Sequence, residues 1–534
     1  MADVSRTPAE IATDPTDGTV CIWFETRQPG SMGLDPGLAG AITQPDVPIG
    51  WGLRDRVKSE SAMTDVLVRQ TDCKLDQAAV AALRELLRGP LLQPADQGYD
   101  EARTIWNAMI TKRPALIARV SGSADVIACV NFARENGLPL SVRGGGHNVA
   151  GTALCDGGLM IDMSLRRGVR VDPTRRIVRV EGGATWGDVD HETQPFGLVV
   201  PSGIVSNTGV AGFTMGGGFG WTSRKFGYAA DNLMSVDIVT ADGELRLASD
   251  TENPDLFWAL RGGGGNFGAV TSFEFKASRH GPQALCGMVV YPMGDARSVA
   301  RQFRQITAAA PDELCCLLIL RRAPAAPYLP ADVHGKPIAA IAACWAGDPG
   351  DGRAAILPLK TFARPLADTI ERKSFVEHQT MLDAGQPFGR RYYWKSHYFA
   401  KIGDDLIDAM VEHAERIASP HSAALLMHLG GAPARIDPST NAVGLRPAAY
   451  VLNIQAAWES AQEDPRHLAW ASEFWAATRP FSTGGAYINF MTEDEGDARV
   501  RAAYPDEVYA RLREIKRKFD PGNLFHGAQN IPPR

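Results

Sequence analysis

What the chain has little of narrows its function first. It contains no uninterrupted apolar run approaching the ~18 residues that cross a bilayer, so a membrane-embedded protein is not expected. Positive charge is not in excess. The 55 Lys and Arg against 61 Asp and Glu leave a net charge of −6 with no dense basic run, which removes the electrostatic footprint of a nucleic-acid binder. Cysteine is sparse, 8 in 534 residues, with no C-x-x-C pair and no Cys/His cluster at zinc-ligand spacing, and this argues against a structural metal. Cys315 and Cys316 lie in the apolar run ELCCLLIL, where thiols serve as small core residues. The opening MADVSRTPAEIATD has neither a basic nor an apolar targeting region, so the expected location is the cytoplasm. No G-x-x-x-x-G-K-[ST] phosphate loop occurs.

What remains is an ordinary globular composition, 45% hydrophobic and 22% charged, long enough for more than one domain. Residues 1–62 are rich in Gly, Pro, Thr and Asp without helical or strand period; they read as a disordered extension, with Met63 as the natural start. Residues 63–280 alternate helix and strand patterns. A helix is expected over 123–136, capped at Ser123 and stopped at Gly137, and strands over 138–142, 159–163, 176–180 and 235–241. Residues 281–478 change character, with apolar strands such as LCCLLIL and AAYVLNIQAAW between long polar or Pro-rich segments, and suggest a second domain. Residues 479–534 end in a helix with Val508, Leu512, Ile515 and Phe519 on one face, begun at Pro505 and closed by Asp520-Pro521-Gly522-Asn523.

Glycine carries the strongest local signal. In SVRGGGHNVAG a strand runs into Gly144, Gly145 and Gly146, where backbone without side chains can curl its N–H groups around a phosphate or pyrophosphate, with Arg143 beside it. A second loop, GVAGFTMGGGFG, places Gly209, Gly212, Gly216, Gly217, Gly218 and Gly220 where a flat ligand could approach the main chain. A third, Gly262 to Gly265, formally matches G-x-G-x-x-G at Gly263, Gly265 and Gly268. That match is rejected because a helix-like LFWAL precedes it and a strand-like AVTSFEF follows, the reverse of a dinucleotide-binding βαβ unit. Each loop alone is compatible with a tight turn; three together point to a large, planar, phosphate-bearing cofactor.

At VRGGGHNVAG, VPSGIVSNTGVAGFTMGGGFGWTSRKFGYAADNL, NPDLFWALRGGGGNFGAVTSFEF, YINF and IKRKFDPGNLFHGAQNIPP, the chain from about residue 64 onward resembles the berberine-bridge-enzyme-like FAD-linked oxidases of the vanillyl-alcohol-oxidase superfamily, bacterial type. The resemblance implies an α+β fold: a two-subdomain PCMH-type FAD-binding domain plus a substrate domain with an antiparallel sheet backed by helices. It implies FAD contacts at Arg143, Gly144, Gly145, Gly146, His147, Asn148, Ser202, Gly203, Thr208, Gly209, Gly212, Gly217, Gly218 and Val239. In the family the His after the glycine nest is bonded to the flavin, here His147; the alternative is a His that only hydrogen-bonds the pyrophosphate. The usual second tether, a Cys, is replaced by Val205, which implies a single link. The family residue that gates O2 is Thr208 here, which leaves oxidase and dehydrogenase both open.

The family base is often a Tyr, the second aromatic of Y-x-N-Y, but this chain has Tyr487-Ile488-Asn489-Phe490. Tyr487 and Asn489 are expected near the flavin, Tyr487 as a catalytic candidate as well. Replacement catalytic groups are sought in YYWKSHY, where strand alternation puts Tyr393 and Lys395 on one face and the Lys would favour a phenolate base. His428 and Gln455 are weaker pocket candidates. The implied function is an FAD-dependent oxidoreductase removing hydride from an alcohol, hemiacetal or amine carbon of a small molecule. O2 is the expected acceptor, a flavin-binding protein without turnover the alternative, and nucleic acid and membrane are not expected partners.

Overall fold

Apart from two short paired strands, Ile11–Thr13 and Val20–Ile22, the computed structural model describes residues 75–444, 446–527 and 529–534. The extension expected over 1–62, and the start suggested at Met63, otherwise lie outside the described residues.

The first sheet has the strand order Leu91–Leu92, Leu116–Arg119, Leu159–Asp162, Leu140–Arg143, and its last three strands are parallel. Parallel neighbours need a crossover, which the Ser123–Glu135 helix supplies. Val126, Cys129, Val130 and Ala133 fall at helical spacing and are buried against Leu116, Leu159 and Ile161. The helix begins after Gly122, with no side-chain cap, rather than being capped by Ser123. The Asp125 carboxylate instead accepts N–H groups of Arg88, Gly89 and Ser121 and ties the preceding chain down. Gly137, at φ +61°, ends it.

The second sheet is antiparallel, ordered Leu245–Ser249, Leu233–Val239, Ala269–Lys276, Ile177–Glu181, Val169–Asp172. The Pro254–Leu260 helix runs through the third glycine loop into the Ala269–Lys276 strand, the helix-to-strand order that excluded a dinucleotide fingerprint.

Sheet membership changes between Ser278–Arg279 and Gln283–Pro292, where an eight-stranded antiparallel sheet begins. Its helices Ala296–Ala308, Asp404–Glu415 and Asp464–Thr478 cover one face through Val299, Phe303, Leu406, Met410, Ala471 and Phe474. The opposite face looks toward the glycine loops, and here register matters. Four adjacent strands, Leu314–Arg322, Ala423–His428, Tyr450–Trp458 and Arg391–Phe399, place residues directly opposite one another in rows. One row is Arg321, Ala423, Gln455, Trp394; the next is Ile319, Leu425, Asn453, Ser396; the third is Leu317, Met427, Val451, Tyr398. Successive rows on one face are about 7 Å apart, two residues of strand rise.

The C-terminal segment returns to the first part of the chain. Val500, Leu512, Ile515, Phe519 and Ile531 are buried in the same core as Val178, Phe257 and Phe273. Lys516, fully buried, donates to the carbonyls of Asn266 and Phe525 and to Asp520, and so fastens the third glycine loop to the chain end.

Candidate active site

Beyond the Leu140–Arg143 strand the chain turns through Gly144, Gly145 and Gly146, the last at φ +65°. Close approach explains the other two. A Cβ on Gly145 would lie 2.4 Å from Cα of Gly209, and one on Gly144 2.9 Å from the carbonyl oxygen of Gly182. The first two glycine loops therefore touch backbone to backbone. Among the described residues the amides of Gly144, Gly145, Gly146 and His147 meet no backbone acceptor, which leaves a run of donors suited to an anion.

These donors open on a cavity of about 300 Å³ that reaches from the glycine loops to the inner face of the eight-stranded sheet. Gly212 and Gly265 line it, and a Cβ on either would meet no protein atom within 4 Å. An anion cradle leading to a glycine-floored slot is the shape a flavin dinucleotide needs, so the residues present fit FAD. A match to the FAD binding domain covers residues 114–249, and one to the berberine and berberine-like segment covers 486–532.

The chain is an FAD-linked oxidoreductase with an FAD binding domain and a berberine-like C-terminal segment.

This oxidoreductase is 29% identical over 457 residues to (R)-6-hydroxynicotine oxidase of Paenarthrobacter nicotinovorans, covering 84% of this chain and 97% of that one. It is 28% identical over 454 residues to an FAD-linked oxidoreductase of Dictyostelium discoideum, covering 84% and 96%. In structure it resembles 6-hydroxy-D-nicotine oxidase from Arthrobacter nicotinovorans, with a TM-score of 0.76, 27% identity and coverage of 84% and 98%. The FAD-binding domain and substrate domain are thus those of the PCMH and berberine-bridge-like folds.

His147 follows the nest and lines the cavity. Its ring stacks on Trp106 at 4.4 Å between centroids, and its Nε2 lies 3.0 Å from Oδ1 of Asn207. Burial pushes its pKa down to about 4 against the opposing pull of the Asn207 contact, so the imidazole is neutral at physiological pH.

Asn148, Gly203, Thr208 and Gly209 also line the cavity, and so does Val205, whose side chain offers no sulfur for a second tether. Tyr487, Asn489 and Phe490 line it from the C-terminal side. Other expected contacts stand behind the wall. Arg143 donates to the Ala102 carbonyl at 2.5 Å and approaches Asp162 at 3.8 Å, bracing the nest from the rear. Ser202 accepts from Gln379 at 2.6 Å on the far side of Gly203. Gly217 and Gly218 border a separate small cavity with Val443 and Tyr504. Val239 is wholly buried, and its carbonyl would sit 2.5 Å from a Cβ on Gly268. Its carbonyl thus backs the third loop, while its side chain packs in the core with Leu138, Ala241 and Ala269.

Two expected catalytic groups are displaced. Trp394 lines the cavity, so alternation along Arg391–Phe399 turns Tyr393 and Lys395 to the opposite face. There the Tyr393 hydroxyl donates to Asp494 at 2.7 Å, and Lys395 is held by Thr492, Asp494 and Glu495. Burial, with the Asp494 contact adding to it, raises the Tyr393 pKa, the opposite of the phenolate expected from a neighbouring Lys. Tyr487 is also raised by burial, its oxygen accepting from Gly218 N–H at 3.2 Å and Asn489 Nδ2 at 2.9 Å. These bonds tie it to the second glycine loop, and the raised pKa does not favour a phenolate base. His428 is absent from the wall as well; it packs against Arg224, and burial pushes its pKa down to about 2.

The polar groups that do line the cavity are Arg321, Asn453 and Gln455 from the sheet and His421 from the loop before Ala423–His428, joined by Gln386, whose Nε2 donates to Gln455 at 2.8 Å. Both side-chain polar atoms of Asn453 are buried without a protein partner, as is Oε1 of Gln386. Among the described residues no Asp, Glu or Lys contributes to the lining. His421 is hydrogen-bonded through Nε2 to Glu459 at 3.2 Å, and burial, then Arg390, lowers its pKa so that it is neutral near pH 7. Sequence reading missed Arg321, Gln386, His421 and Asn453. A signal existed for Asn453 and Gln455, two amides two residues apart in the otherwise apolar VLNIQAAW, and for Arg321, which continues the Leu317, Ile319 alternation.

Proposed function

We propose that this oxidoreductase is an oxidase of small organic molecules, with FAD linked once through His147, hydride taken from a hydroxyl-, hemiacetal- or amine-bearing carbon, and O2 reduced to H2O2. The single observation that carries the reading is the continuous cavity joining the unpaired amides of residues 144–147 to the polar rows of the sheet. Bound FAD supplies a two-electron, hydride-accepting centre.

The chain's own residues supply position and proton control. The amides of residues 144–147 would hold the pyrophosphate of FAD, and Gly212 and Gly265 leave the main chain open to a flat ring. Neutral His147 keeps a lone pair on Nδ1 for attachment when its Nε2–H donates a hydrogen bond to Oδ1 of Asn207. Val205 stands where a second tether would be. Asn453 offers a donor and an acceptor to the substrate, and its partnerless burial supports that role. His421, neutral and oriented by Glu459, accepts the proton from the substrate O–H or N–H as the hydride departs. Trp394 and Phe490, meeting edge to face at 5.4 Å, exclude water beside the reacting carbon.

The test is anaerobic mixing with a panel of small alcohols, sugars and amines while the flavin colour is followed. Bleaching by a panel member, with colour and stoichiometric peroxide returning on admission of air, is expected. Bleaching that only an artificial dye reverses would make the protein a dehydrogenase.

A further inference from the structure

The sheet rows place a guanidinium at one corner of the cavity with no carboxylate to neutralise it. Arg321 lies opposite Ala423, which lies opposite Gln455, so Arg321 and Gln455 are two strands apart on the same face, about 10 Å. Its Nε donates to the Arg322 carbonyl at 3.1 Å and Nη2 to the Pro420 carbonyl at 3.4 Å. Among the described residues it forms no salt bridge, and the ionisable groups acting on it are the Tyr328 phenol and Arg390, which repels it. Arg390 in turn faces Glu459 at 3.8 Å, which also serves His421 at 3.2 Å and is largely exposed. One carboxylate is therefore shared by two cationic or basic groups, and Arg321 has none.

An arginine lining a mostly apolar cavity, beside Leu317, Ile319 and Leu425, is expensive to hold without a counter-anion. Backbone carbonyls satisfy part of its fork; among the described residues Nη1 makes no hydrogen bond and lies 3.6 Å from where a Cβ on Gly385, a cavity residue, would stand. We propose that Arg321 is the carboxylate anchor of the substrate, so that the compound oxidised is a small organic acid whose reacting hydroxyl or amino carbon lies within reach of His421. This rests on the oxidase reading above. Nη1 can give a carboxylate a charge-assisted hydrogen bond, and the amides of Asn453 and Gln455 then flank the remainder of the molecule.

The test uses the purified holoenzyme and benzoate, phenylacetate and 3-phenylpropanoate, each against its neutral amide. Binding is read by perturbation of the flavin absorbance and by calorimetry. At least one acid should bind about ten-fold or more tightly than its amide. Arg321→Gln should abolish that preference and leave amide binding unchanged, while Arg321→Lys retains part of it. If no acid outbinds its amide, or if Arg321→Gln leaves the preference intact, the proposal is overturned. Inorganic phosphate displacing the acids at equal concentration would overturn the carboxylate assignment in favour of a phosphate ester. Calorimetric heats read the anion site even in protein lacking yellow colour, a state that would count against the oxidase reading and not against Arg321.

Discussion

Oδ1 of Asn207 lies 3.0 Å from Nε2 of His147, and with that oxygen accepting the hydrogen bond the free lone pair of the neutral imidazole is on Nδ1. Asn207→Leu removes the acceptor while preserving size. The fraction of flavin that stays with the protein after denaturation should fall several-fold, with total flavin bound before denaturation much less affected. Equal retention in the two proteins would show that the tautomer is set elsewhere.

Acid should unfold the protein early. Burial holds His147, His280 and His397 each near about 4, below the usual 6.5. Between those values the unfolded chain binds protons that the folded chain refuses, so stability falls as pH drops through that window and is fully present above it. Melting temperature measured from pH 7.5 to pH 4 should decline steeply below about 6.5, and His280→Gln should flatten part of the slope. A level profile across the window would contradict neutral burial of these rings.

Much of this architecture was legible before any coordinates. The Gly144–Gly146 nest, His147 and the helix-to-strand order around Gly262–Gly265 were readable because glycine at a close approach and a strand-to-loop transition are local signals. The reacting end was not. Tyr393 and Lys395 were assigned to the pocket because alternation says only that they share a face, never which face, and that choice is made by the Asp464–Thr478 helix packing across the sheet. His421 sits in a loop before its strand and acquires a role only through Glu459, which is remote in sequence.

Proton transfer can therefore be assigned by comparing two substitutions. Tyr393→Phe, on the outer face, should leave the rate of flavin reduction within about two-fold, whereas His421→Asn should slow it ~100-fold or more. Stopped-flow reduction by an identified substrate measures both. A large loss in Tyr393→Phe would return the base to the sequence-based choice.

Two glycines separate architecture from cofactor space. Gly145→Ala forces a methyl to within 2.4 Å of Gly209, so the variant should be destabilised by about 2–3 kcal/mol or fail to accumulate. Gly212→Val meets open cavity, so melting of flavin-free protein should change by less than about 1 kcal/mol while flavin content collapses. Flavin content and urea unfolding of the two variants distinguish the cases.

Lys516 and Asp520 form a wholly buried pair at 2.6 Å. Lys516→Met leaves a buried carboxylate unpaired and should cost about 3–5 kcal/mol, with the third glycine loop loosened as well. Chemical denaturation of the variant and its flavin affinity report these two effects separately.

The most direct measurement on the whole account is to precipitate the purified protein with acid, find where the yellow colour goes, and map it by peptide mass. The colour should remain in the pellet of the native protein, on the peptide containing His147, and move to the supernatant in His147→Ala. Colour released from the native protein, or a flavin mass on any other peptide, would contradict it.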